Sequence, residues 1–218
     1  MVKLVLHEYP SYYGDGQTNL GWLCKLKTPP LIAYSVVAVE SAGDSRHRDL
    51  WQCTEMSDEE IQIVADNRRD LITLLVPKCT KLSNVAIIGG RALAHRCQFL
   101  EKINFDSCDL LTDKAAEEFA RETKEIRSMN FAGCTKITGM GVMGIVESCK
   151  YLREFTLNRC ELVTDESIMS IAQHALYLEL LHVGFCLQVS NLGLIGLSRA
   201  LCCSTLTSLD FSACRRVS

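Results

Sequence analysis

An α/β solenoid, with a curved parallel sheet on its concave face and helices on its convex face, is the fold class this sequence predicts, on three observations. Seven cysteines, Cys53, Cys79, Cys108, Cys134, Cys160, Cys186 and Cys214, return at separations of 26, 29, 26, 26, 26 and 28 residues. A period of this length marks a stacked repeat. Apolar residues stand two apart before each cysteine, the spacing of a strand with one buried face. Apolar residues three and four apart follow it, the spacing of a helix. One strand and one helix cannot bury their apolar sides alone, so several copies must stack.

The unit is clearest in YLREFTLNRCELVTDESIMSIAQHA, where Leu152, Phe155 and Leu157 precede Cys160, and Val163, Thr164, Asp165, Ile168 and Ile171 follow it. The same slots hold Leu71, Leu74, Val76 and Cys79 in the first clear unit, then Leu100, Ile103, Phe105 and Cys108. They continue with Ile126, Met129, Phe131 and Cys134, with Leu178, Leu181, Val183 and Cys186, and with Leu206, Leu209, Phe211 and Cys214. Around Cys53 only Leu50, Met56, Ser57, Asp58, Ile61 and Val64 fit, which reads as a worn or capping first repeat. The array is therefore placed at residues 50–218, after a non-repeat segment 1–49. The last unit stops at Val217-Ser218, in mid-repeat, so an apolar flank is expected to lie open there. The Thr-Asp or Ser-Asn pairs supply oxygens for the orphan N–H groups of each helix start, and Ser57 with Glu60 predicts a capping box. Asp113 and Asp165 also suit the positive end of the helix dipole.

Leu-x-x-Leu-x-Leu-x-x-Cys is the leucine-rich-repeat signature with cysteine where other classes carry asparagine. Over residues 50–218 the chain resembles the cysteine-containing repeats of F-box/leucine-rich-repeat proteins, the substrate-recognition subunits of SCF ubiquitin ligases. That resemblance implies a protein-interaction module that recognises substrates or adapts them to SCF-type ubiquitin-dependent degradation, with cullin-type ligase components among its partners. An F-box opens with Leu-Pro and runs for about forty helical residues ahead of the repeats in that family. Residues 1–49, with Pro10, Pro29, Pro30 and Gly14-Asp15-Gly16, match no such segment. The alternatives are a fragment or isoform lacking the adaptor-binding part, or kinship with F-box-less relatives resembling antagonist of mitotic exit network protein. A scaffold or regulatory protein unconnected with ubiquitin is the second functional reading.

Composition narrows the function classes. At 48% hydrophobic and 22% charged residues, the chain has material for a real core. A net charge of -3 provides no broad positive field, so nucleic acid is not the expected partner. The apolar run Leu31–Val39 is far short of the roughly 20 residues that span a bilayer. MVKLVLHEYP carries no signal-peptide core, which places the chain in the cytoplasm, with the nucleus as a second compartment.

The cysteines invite zinc or redox chemistry, yet no pair has Cys-x-x-Cys spacing. Seven occupy the repeat slot, Cys97, Cys149 and Cys203 share a second slot three residues before a strand leucine, and Cys24 and Cys202 fall outside both. Small buried thiols are the ordinary occupants of such positions. The histidines, His7, His47, His95, His174 and His182, form no His-Glu-x-x-His, and His95 near Cys97 sits at a helix end. Gly89-Gly90 lacks the lysine and serine of a phosphate loop and reads as a helix irregularity in the repeat with three extra residues. No catalytic residue, cofactor or metal ligand is expected.

What remains is the outward side of the sheet, where alternation exposes Thr73, Leu75 and Pro77, then Lys102, Asn104 and Asp106, then Ser128, Asn130 and Ala132. Glu154, Thr156 and Asn158, then Leu180, His182 and Gly184, and finally Ser208, Asp210 and Ser212 complete it, with Lys78, Arg159 and Phe185 just beyond. The candidate protein-binding residues are Lys102, Asn104, Asp106, Asn130, Glu154, Thr156, Asn158, Arg159, Leu180, His182, Phe185 and Asp210. Arginine and aromatic side chains are favoured anchors, so Arg159 and Phe185 lead the set.

Overall fold

The computed structural model describes residues 47–49, 54, 56–88, 93–200 and 204–217, and for 47–49 the backbone alone. Cys24, Cys53, Cys202, Cys203 and Gly89-Gly90 lie outside the described residues, as does all but the end of the N-terminal segment. Seven short strands form one parallel sheet in strict chain order: β1 His47–Asp49, β2 Thr73–Leu75, β3 Lys102–Asn104, β4 Ser128–Asn130, β5 Glu154–Thr156, β6 Leu180–His182 and β7 Ser208–Asp210. Strand β1 lies just ahead of residue 50, where the repeats were expected to start. The helices α1 Asp58–Asn67, α2 Asn84–Ile87, α3 Leu93–Arg96, α4 Asp113–Glu122, α5 Gly139–Ser148, α6 Asp165–His174 and α7 Asn191–Ser198 alternate with the strands. Each strand pairs with its equal one repeat on, Phe155 with Leu181 for example, so the register repeats the sequence period. The result is an open, curved leucine-rich-repeat solenoid.

Alternation decides which strand residues face the core. Leu74, Ile103, Met129, Phe155 and Leu181 are buried in one column, and Val76, Phe105, Phe131, Leu157 and Val183 in the next. Behind them stand Ile61 and Val64, Ala116 and Phe119, Val142 and Ile145, and Ile168 and Ile171, the expected helix faces. Phe105 meets Phe119 edge-on at 6.0 Å and Phe131 at 5.7 Å, joining strand to helix and repeat to repeat. Such contacts add about 0.5–1.5 kcal/mol each beyond burial. Leu209, in the same slot on β7, is 47% exposed because no further described repeat covers it. In the 29-residue unit α2 ends at Ile87, Ile88 being extended, and α3 covers Leu93–Arg96.

The helix starts do more than cap. Ser57 and Glu60 make the expected capping box, and the hydroxyls of Ser83, Thr138 and Ser190 accept from Val85, Met140 and Leu192 N–H. The first helical residue, however, reaches across to the next repeat. Asp58 accepts from Ser83 N and Oγ, Asp113 from Thr138 N and Oγ1, and Asp165 from Ser190 N and Oγ. Asn84 serves Thr112 in the same way through both ends of its amide. Asp113 and Asp165 are thus clamps between repeats as well as dipole partners, with charge-assisted bonds stronger than neutral ones. A Cβ at Gly141 would stand 2.3 Å from Asp113 Oδ1, so a larger residue there would have to displace this carboxylate.

Candidate protein-binding face

The outward side chains form rows fixed by the strand register. One row runs Thr73, Lys102, Ser128, Glu154, Leu180 and Ser208, and the second Leu75, Asn104, Asn130, Thr156, His182 and Asp210. Beyond the strands, Asp106, Asn158 and Gly184 continue the face, Gly184 being buried against Asn158, Asp210 and Ser212. The sheet therefore brings together the residues the alternation singles out, from Lys102 to Asp210.

Several of them are held by internal bonds. Lys102 Nζ lies 3.5 Å from Glu154 Oε2, which also accepts from Ser128 Oγ at 2.7 Å, so three strands share one polar link. Asn104 and Asn130 accept through Oδ1 from the N–H groups of Asp106 and Ala132, both at 2.8 Å. Asn158 accepts from Gly184 N at 2.6 Å, and Asp106 from Ser107 Oγ at 3.0 Å. His182 Nε2 is 3.0 Å from Ser208 Oγ. Asp210 is held below the usual carboxylate range by the N–H and hydroxyl of Ser212, with His182 adding to the effect. These asparagines thus shape the turns that end the strands, and Thr156 and Leu180 stand half-buried between them.

A feature with little trace in the sequence lies at the rim. The residue before each cysteine, Lys78, Ser107, Gly133, Arg159, Phe185 and Ala213, adopts a left-handed backbone with φ between 56° and 69°. The N–H groups of Lys78, Ser107, Gly133, Arg159 and Phe185 donate to the next repeat, Arg159 to Gly184 O and Phe185 to Ser212 O for example. Only Gly133 hinted at this, since the other five residue types rarely adopt φ > 0. The turn brings Arg159 and Phe185 side by side at the surface, with the guanidinium 5.4 Å from the ring centroid.

The eight described cysteines are all buried and unbridged. Cys108, Cys134, Cys160, Cys186 and Cys214 donate to Val76, Phe105, Phe131, Leu157 and Val183 carbonyls one repeat back, at 3.1–3.4 Å. In the second column Cys97 and Cys149 donate to Arg68 O and Ala120 O, while Thr123 replaces the thiol and bonds Phe119 O. Burial pushes the Cys97, Cys149 and Cys186 thiols up to about 12 and raises those of Cys134 and Cys160 as well. Such thiols lack the low-pKa thiolate that reactivity needs. The His95 ring lies 3.5 Å from Glu122, and the Cys97 thiol turns to the Arg68 carbonyl instead. Among the described residues no group of three His, Cys, Asp or Glu side chains is placed to hold a metal, and no helix is long and apolar enough to cross a membrane.

No protein-family model matches the sequence, and no curated protein matches it. Among solved structures, a chain of the Rad7 and Elc1 complex from yeast is similar in fold, with a TM-score of 0.67 at 21% identity. The match covers 77% of this chain and 42% of that one, so the present chain spans less than half of its neighbour's length.

Proposed function

We propose that this chain is a protein-binding module whose partner lies on the concave sheet and the rim that carries Arg159 and Phe185. The observation that carries the reading is the shared register: successive strands present their outward side chains in parallel rows, and an exposed arginine-aromatic pair stands beside them. A continuous curved surface built this way is what stacked repeats use for binding. The solved neighbour belongs to a complex of two proteins, which favours an interaction or adaptor role for the fold.

The finer reading is substrate recognition or adaptation within SCF-type, cullin-based ubiquitin-dependent degradation, in the cytoplasm or nucleus. It is supported by the cysteine-slot repeat resemblance rather than by any particular side chain. Affinity purification of the full chain tests it: cullin and its small adaptor recovered in stoichiometric amounts supports the ligase reading. Their absence, with another partner retained on the concave face, supports a scaffold or regulator outside the ubiquitin system.

A further inference from the structure

The left-handed rim separates what the fold requires from what it merely carries. Gly133 occupies this slot at φ 69°, so the fold needs no side chain there. Arg159 and Phe185 nevertheless hold the same slot at 63° and 62°, a conformation that disfavours any residue with a Cβ. Both are exposed, and they sit between the small residues Gly133 and Ala213, so an extended backbone can approach from either side.

Charge then points to the occupant. Arg68, Arg96, Arg121, Arg127 and Arg153 each lie within reach of a carboxylate. Arg159 has none among the described residues and lies over the Phe185 ring instead, with the edge of its guanidinium fork turned to no acid. The carboxylates of the face are already engaged: Glu154 by Lys102 and Ser128, Asp106 by Ser107, and Asp210 by Ser212. Along the turns from strand to helix, Lys78, Lys136, Arg159, Arg215 and Arg216 outnumber Asp106, Asp109 and Glu161. The charge balance of these turns is cationic.

We propose that the rim takes an acidic extended segment of a partner protein, one carboxylate side chain meeting the Arg159 guanidinium and a neighbouring apolar side chain packing on Phe185. A planar fork pre-oriented on an aromatic ring suits bidentate carboxylate binding. The inference rests on the concave-face reading and narrows it to a partner chemistry.

The test uses the full chain and a fluorescein-labelled Gly-Ser peptide with a central Glu-Leu-Glu-Leu, followed by fluorescence anisotropy. Gln-for-Glu and Lys-for-Glu peptides are the controls. The Glu peptide should bind at least about tenfold more tightly than either, and raised salt should weaken it. Arg159→Gly and Phe185→Gly should each weaken it by about fivefold or more. Because glycine suits this slot, both variants should unfold no more readily than the parent, so the loss cannot be laid to misfolding. Equal binding of the Glu and Gln peptides, or an Arg159→Gly variant that binds like the parent, overturns the proposal. Loss on Lys102→Ala with none on Arg159→Gly overturns it while leaving the concave-face reading standing. Loss confined to the convex-side Glu166→Ala/Gln173→Ala variant overturns both.

Discussion

Removing the Asp165 carboxylate should loosen the joint between two repeats and make that loss depend on pH. Asp165 Oδ1 accepts from Ser190 N at 2.8 Å and Gly193 N at 3.0 Å, and Oδ2 from Ser190 Oγ at 2.6 Å. A hydrogen bond to a charged group contributes about 1.5–3 kcal/mol, and these three share one half-exposed carboxylate, so Asp165→Ala should cost about 2–3 kcal/mol in all. Partial burial opposes ionisation, but the Ser190 and Gly193 donors outweigh it and hold the carboxyl below its ordinary value. With a folded pKa below the unfolded one, the contribution is complete above the unfolded value near about 4 and is lost as pH falls through the folded one. Urea unfolding of parent and Asp165→Ala from pH 7 down to 3 should therefore show a gap that narrows below about pH 4. Asp165→Asn is the control, because Asn84 makes the same clamp to Thr112 with an uncharged amide. It should cost under about 1 kcal/mol and remove this part of the pH dependence. If Asn costs as much as Ala, or if the gap stays constant to pH 3, the clamp is not what joins these repeats.

Three further outcomes follow from the packing. Phe155→Ala or Leu157→Ala should cost roughly 2–5 kcal/mol in chemical denaturation, since each opens a cavity in a core shared by adjacent repeats, while Thr156→Ala should cost far less; equal losses would reverse the strand faces. Gly133→Ala should cost about 1–2 kcal/mol, because a Cβ there meets Ser107 Oγ at 2.9 Å and the backbone is left-handed, and an unchanged unfolding midpoint would contradict that. Cys108, Cys134 and Cys160 should react slowly with a bulky thiol reagent in the native chain and fast when unfolded; rapid native labelling would show that the cysteine columns are not closed.

Much of this architecture is legible in the sequence because a solenoid repeats its local rules. The two-residue spacing of Phe155 and Leu157 assigns the strand face, and Thr164-Asp165 marks where the helix begins. The sequence cannot tell that Asp165 bonds Ser190, because the partner is one repeat away and the sequence shows only neighbours along the chain. Nor does it reveal the left-handed turn, since Lys78, Arg159 and Phe185 are not residues that favour it and the next repeat's carbonyls impose it. On the face itself, alternation correctly turns Asn104, Asn130 and Asp210 outward. It does not show that their oxygens are tied to the backbone two residues on, leaving Arg159 and Phe185 as the more available pair.

Binding of a partner to the concave sheet and its rim is the function proposed for this chain. Its most direct test is the affinity of a co-purified partner for two double variants, each first checked for native stability: Arg159→Ala/Phe185→Ala on the rim, and Glu166→Ala/Gln173→Ala on the convex helix α6. The rim pair should lose at least about tenfold in affinity, in line with truncated interface anchors, and the helix pair should change little. Weakened binding by the helix pair alone would contradict the proposed function.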